Sequence, residues 1–202
     1  MIDLLELIPR CHEASKANGW WEPRPNAGQQ LMLVVSELSE ALEADRNGTQ
    51  ADKDLFDVCL EKCSHLAPQP QKECWTRSFK ECIKDSVGDE LADAYIRLCD
   101  FAGGFELDLP QINTMKCDPK QWAIGSDNFG DALLTCVDAV MDMHRVRLRT
   151  GFAPGHMEGP LSDALTWIEV LARQQGIDLA THIDLKLTYN ASRGHKHGGK
   201  AY

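Results

Sequence analysis

Apolar residues recur along most of this chain at intervals of three and four, the spacing that lines one face of an α-helix. Leu4, Leu5, Leu7, Ile8, Cys11 and Ala14 predict a first helix, kinked or restarted at Pro9 and stopped by Asn18-Gly19. Trp20-Trp21-Glu22-Pro23-Arg24-Pro25 then reads as an irregular connection. Residues 27–46 carry Leu31, Val35, Leu38 and Leu42 as one stripe and close at Asn47-Gly48. Residues 49–85 read as two short helices about Pro68-Gln69-Pro70. A helix over 86–101 follows, with Ser86 as its N-cap, Leu91, Tyr95 and Leu98 on one side, and Gly103-Gly104 as its stop. A turn-rich passage from Pro110 to Asn128 leads to an apolar helix over 129–149, a loop over 151–155 and a helix over 161–175. The last helix runs from Leu179 to about Ala191, ahead of a basic end. The expectation is an all-α chain.

Composition narrows the function classes. A length of 202 residues fits one large domain or two small ones, and 43% hydrophobic residues suffice for a core. Neither a bilayer-length apolar run nor the charged and apolar start of a secretory leader is present, so a soluble, cytoplasmic protein is expected, with no membrane partner. A net charge of −10 argues against a nucleic-acid partner, since such binders need a basic face to displace counterions. Eight cysteines without a leader are expected to be reduced and mostly buried thiols. Cys59, Cys63, Cys74 and Cys82 supply enough ligands for a zinc site but lack the short Cys-x2-Cys knuckle, and a disulfide across the helical hairpin is disfavoured in a reducing compartment.

The chemistry centres on two acidic pairs. Glu37 and Glu40 stand three residues apart in the second helix, and Glu90 and Asp93 repeat the device later. On a helix each pair is side by side. Periodicity alone puts both on solvated faces, opposite the apolar stripes. Leu33, Val34, Ala41 and Ala94 edge those faces, however, and neither pair has a Lys or Arg four residues beyond its first member. Carboxylates gathered in that way call for a hard divalent cation such as Mg2+ between them. Lys186, Arg193, Lys196, His197 and Lys200 form the densest positive group of an acidic chain, either a frayed end or a counterweight for phosphate.

At these acids the sequence resembles the MazG-like family of all-α nucleoside triphosphate pyrophosphohydrolases, its phage and bacterial subgroup in particular. The likeness extends over Val35-Ser-Glu-Leu-Ser-Glu-Ala-Leu-Glu-Ala-Asp-Arg46, Asp89-Glu-Leu-Ala-Asp-Ala-Tyr-Ile-Arg97 and the ending His182-Ile-Asp-Leu-Lys-Leu-Thr-Tyr-Asn190 with Arg193 and His195–Lys200. The resemblance implies one helical-bundle domain over 1–202 that converts a nucleoside triphosphate, in particular a deoxynucleotide, to the monophosphate and pyrophosphate. It implies Mg2+ on Glu37, Glu40, Glu90 and Asp93, with Mn2+ able to substitute and with Glu37 or Glu40 as general base. Lys186, Asn190, Arg193, Lys196 and Lys200 are then the residues for phosphate or sugar, and Trp20 and Trp21 the pocket walls. It also implies a homo-oligomer, dimer or tetramer, in a bacterial cell or phage-infected host.

Two features depart from compact relatives: residues 49–85 and 110–160 stand as helical insertions. The echo of Phe105-Glu-Leu-Asp-Leu109 in Gln175-Gly-Ile-Asp-Leu179 suggests a degenerate internal repeat without the acidic pairs. Two other readings remain open at this level, a non-catalytic helical interaction module and a pyrophosphohydrolase for another phosphoanhydride, such as a phosphoribosyl nucleotide or an alarmone.

Overall fold

A computed structural model describes residues 2–153 and 155–195. All the regular structure among them is helical: α1 (Leu4–Ala17), α2 (Ala27–Arg46), α3 (Lys53–Cys63), α4 (Pro68–Cys82), α5 (Val87–Gly104), α6 (Leu109–Met115), a 3-10 turn (Pro119–Gln121), α7 (Phe129–Thr150), α8 (Glu158–Gln174) and α9 (Leu179–Ser192). No helix among the described residues is long and apolar enough to cross a membrane.

Local chemistry fixes most of the boundaries. Side-chain oxygens of Asp3, Asn26, Asp52, Ser86, Asp108, Asn128 and Asp178 accept from first-turn amides, each satisfying a donor that the helix leaves open. At the other end, α1, α2, α5 and α8 close with one motif. The residue at the left-handed position is Gly19, Gly48, Glu106 or Gly176, and the amide after it reaches back five residues, as in Leu107 N to Ala102 O (3.0 Å) and Ile177 N to Ala172 O (2.9 Å). The echo between 105–109 and 175–179 is thus a helix stop followed by an Asp N-cap, and the same stop recurs on α1 and α2. It does not require a repeat.

The structure corrects several boundaries. Pro9 lies exposed inside an unbroken α1. Gly103 and Gly104 do not stop α5 but form its last turn, where a Cβ on Gly104 would overlap the Trp21 ring. The turn-rich passage after Pro110 contains α6, which buries Ile112.

Helix α5 is the axis of the fold. Fourteen of its residues are buried, and it packs against α1, α2, α8 and α9. Helix α7 lies across α2 and α8 on the outside of this group. One buried polar cluster ties the layers together: Glu169 of α8 takes the Tyr95 hydroxyl at 2.6 Å and the Lys116 ammonium at 2.5 Å. Helices α3 and α4 form a hairpin with its own small core, Phe56, Phe79, Cys82 and Ile83 closing on Tyr189 of α9. Cys63 and Cys74 are joined there as a disulfide, with Cα atoms 6.5 Å apart. This overturns the expectation of eight reduced thiols and removes two of the four candidate zinc ligands. The physical reason is the hairpin, which brings the end of α3 within bridging distance of α4.

Candidate functional site

Helix α2 turns a different face inward than its apolar stripe predicts. Its buried residues are Ala27, Gln30, Leu31, Val34, Glu37, Leu38, Ala41 and Ala44, whereas Val35 and Leu42 are only partly covered. Glu37 is therefore a core position, 6% exposed, and the solvated-face reading fails for it. Glu90 is 3% exposed for the same reason, on a helix covered nearly all round. Glu40 stays exposed at the rim.

These three carboxylates meet. Oxygens of Glu37, Glu40 and Glu90 lie within 4.8 Å of one another, from helices about fifty residues apart in sequence. Two buried like charges at that range repel by about 3 kcal/mol at an effective dielectric near 20. The ionisation of both responds. Burial pushes the Glu90 carboxyl up to about 8, with Lys186 opposing and Asp89, Asp93 and Glu37 adding to the rise. Burial also raises Glu37, against the pull of Arg97.

Two cations share the cluster. Arg97 Nε donates to Glu37 Oε1 at 2.5 Å. Lys186, buried on α9, spans Asp89 Oδ2 at 2.6 Å and Asp93 Oδ2 at 2.9 Å. Burial works against its ammonium, but Asp93, Asp89 and Glu90 outweigh that and hold its pKa above the ordinary lysine value. Asp93 is thus drawn toward Lys186 and stands outside the converging triad. Asp89 is fully buried, and its Oδ1 has no partner among the described residues. Close approach of α9 makes this possible: a Cβ on Gly88 would sit 2.6 Å from the His182 ring.

The triad opens into a cavity of about 240 Å3. Of the residues expected from sequence, it brings together Glu37, Glu40, Glu90, Asp93, Lys186, Asn190, Arg193 and Trp20. Trp21 does not line it. Its ring packs edge-on against His12 and Phe105, and its indole N–H donates to Asp100 at 2.9 Å, so it braces the wall from behind. Lys196 and Lys200 lie outside the described residues. Lys186 is held by Asp89 and Asp93 and Arg97 by Glu37; the other basic groups that line the cavity among the described residues are Arg193 and Lys84, the latter paired with Asp85. Sequence reasoning missed Arg97, Asp89, Ser15, Asn18 and Gln30. Arg97 was findable, since it stands four residues after Asp93, but Ser15 and Asn18 carry no local signal on α1.

The donor set suits a hard divalent cation. All three converging groups are carboxylate oxygens, and Glu37, Glu40, Asp89, Glu90 and Asp93 have Lys186 and Arg97 as their ion-pair partners among the described residues, which leaves negative charge for a cation to balance. No protein-family model, no curated protein and no solved structure matches this chain.

Proposed function

We propose that this chain is a Mg2+-dependent nucleoside triphosphate pyrophosphohydrolase of the MazG-like kind, releasing pyrophosphate and a (deoxy)nucleoside monophosphate, with Mn2+ able to replace Mg2+. The observation that carries this reading is the convergence of Glu37, Glu40 and Glu90 at the mouth of a cavity that also holds Asp93, Asn190 and Arg193. Mg2+ bound at the triad supplies charge neutralisation for the phosphates and activation of water. Of the two candidate bases, Glu40 is the better placed to accept a proton. It is exposed and, among the described residues, receives only a long hydrogen bond from Ser36 Oγ (3.4 Å), whereas Glu37 is engaged by Arg97. Arg193 and Lys84 counter the phosphate charge, and Ser15, Asn18 and Trp20 line the side left for base and sugar. The same reading carries a homo-oligomer and a bacterial or phage-infected cytoplasm.

Incubation of the purified protein with each nucleoside triphosphate and Mg2+, followed by pyrophosphate release, tests the reaction. Phosphoribosyl nucleotides and alarmones belong in the same panel. Glu40→Gln should lower turnover at least a hundredfold, the order of loss seen when a catalytic proton-transfer group is removed, and Asp93→Asn should lower it by loosening the Lys186 ammonium beside the triad. Full turnover by both variants would sink the assignment, and no hydrolysis of any substrate would favour a non-catalytic helical module.

A further inference from the structure

A second cavity, of about 850 Å3, lies between the α5–α6 connection and the loop before α8, and it shares no lining residue with the acidic cavity. Phe105 and Phe152 line it, half-buried, with ring centroids 5.1 Å apart in a stacked arrangement. Phe152 sits at φ 65°, a left-handed conformation that a bulky side chain rarely adopts. Backbone strain of that kind is kept where a side chain has to be held in one place. Glu158 lines the same cavity and is 3% exposed. Its Oε1 accepts from Asp108 N at 3.2 Å, while its Oε2 has no hydrogen-bond partner among the described residues. A buried carboxylate oxygen is ordinarily matched by a donor, so an orphan beside a cavity marks a place for one.

The walls say what carries that donor. Glu106, Asp108 and Glu158 line the cavity, and Arg24 is the one basic residue among the described residues that do so. An anion, phosphate included, is repelled by such a set. A bare metal ion does not suit it either. Both groups of acids whose oxygens come within 4.8 Å of one another include Glu90, at the first cavity, and neither includes Glu106, Asp108 or Glu158. A ligand that is cationic at one end and apolar along its body satisfies the acids and the rings together. The protein already shows that the Phe105 ring accepts a cation: the Arg24 guanidinium lies 5.2 Å from its centroid while donating to Gly104 O at 3.2 Å.

We propose that this second cavity is a binding site for a small organic cation, whose ammonium or guanidinium head donates to Glu158 Oε2 and whose apolar body lies against Phe105 and Phe152. Its volume is of the size usual for small-molecule sites. None of the groups assigned to hydrolysis takes part, so the proposal is independent of that reading.

Isothermal titration calorimetry of the full chain with benzylammonium tests it. One saturable site is expected, and benzyl alcohol and benzoate, probes of similar shape without the positive charge, should bind at least about tenfold more weakly. Glu158→Gln keeps an acceptor for Asp108 N and removes the charge, so it should weaken benzylammonium about tenfold. Phe152→Ala should weaken it several-fold, and Arg24→Gln should tighten it by removing a like charge, each with an unchanged far-UV circular dichroism spectrum. Those two variants decide the matter if Glu158→Gln does not fold. Glu40→Gln, at the acidic cavity, should leave the affinity where it was. No saturable binding, equal affinity for benzyl alcohol, weaker binding by Arg24→Gln, or an affinity that falls with Glu40→Gln and not with Phe152→Ala would each overturn the proposal.

Discussion

Glu90, buried in the centre, and His182, half-buried on α9, each carry a shifted ionisation with a measurable consequence. Glu90→Gln removes a carboxyl whose charge burial already disfavours, so the metal-free variant should be at least as stable as the parent. Mg2+ should raise the melting temperature of the parent and leave that of Glu90→Gln almost unmoved. Thermal scans with and without Mg2+ check this, and an equal rise in both would remove Glu90 from the centre. His182 sets an acid limit on stability. Burial holds its pKa below the ordinary value, with Asp178 opposing and Lys186 and Lys53 adding to the depression. The unfolded ring takes up a proton near pH 6.5, and the folded ring does so only at lower pH. In that window the unfolded chain binds more protons, so stability present above pH 6.5 is lost as pH falls toward the folded pKa. His182→Gln should flatten the decline in melting temperature between pH 7 and pH 5. An unchanged slope would move that acid sensitivity to another group.

Among the elements, the α3–α4 hairpin stands apart from the main core. It joins the rest chiefly through Tyr189, which stacks on Phe79 at 4.5 Å, while its own two ends are tied to each other by Asp52 N–H donating to Cys82 O at 2.8 Å. The Cys63–Cys74 link closes a short loop, with a sequence separation of 11, for which the chain-entropy account gives about 3 kcal/mol. Reduction, or Cys63→Ser, should speed amide exchange in α3 and α4 while α5 stays protected. Loss of protection in α5 as well would mean that the hairpin and the bundle unfold together. The hairpin itself was legible in Pro68-Gln69-Pro70 and the helical spacing on either side. The disulfide was not, because its formation depends on how closely two helices approach rather than on the cysteine spacing.

For the whole molecule the governing quantity is charge. At −10 overall, with a carboxylate cluster at its centre, the protein repels an anionic substrate at long range, and capture needs a cationic counterweight within a Debye length, roughly 8 Å at physiological salt. Arg193 at the cavity mouth is part of it, its guanidinium lying 5.5 Å from the Tyr189 ring centroid. Truncation after Asn190 should raise the KM for the triphosphate several-fold at low salt, with helix content nearly unchanged and a smaller effect as salt increases. An unaltered KM at low salt would strike Arg193, Lys196 and Lys200 from the site.

The sequence by itself determined the helical class, most helix ends and the identity of the acids, because periodicity, caps and left-handed stops act over a few residues. The Ser86 cap and the Gly19 and Gly48 stops are of that kind. Only the tertiary structure decided which face of α2 lies inside, since α5 covers Glu37 and leaves Val35 half open. It also decided that Asp93 is drawn to Lys186 while Glu37, Glu40 and Glu90 converge. Those outcomes turn on how the carboxylates and cations of α2, α5 and α9 divide one buried space. Residues so far apart in the chain carry no shared period from which that division could be read.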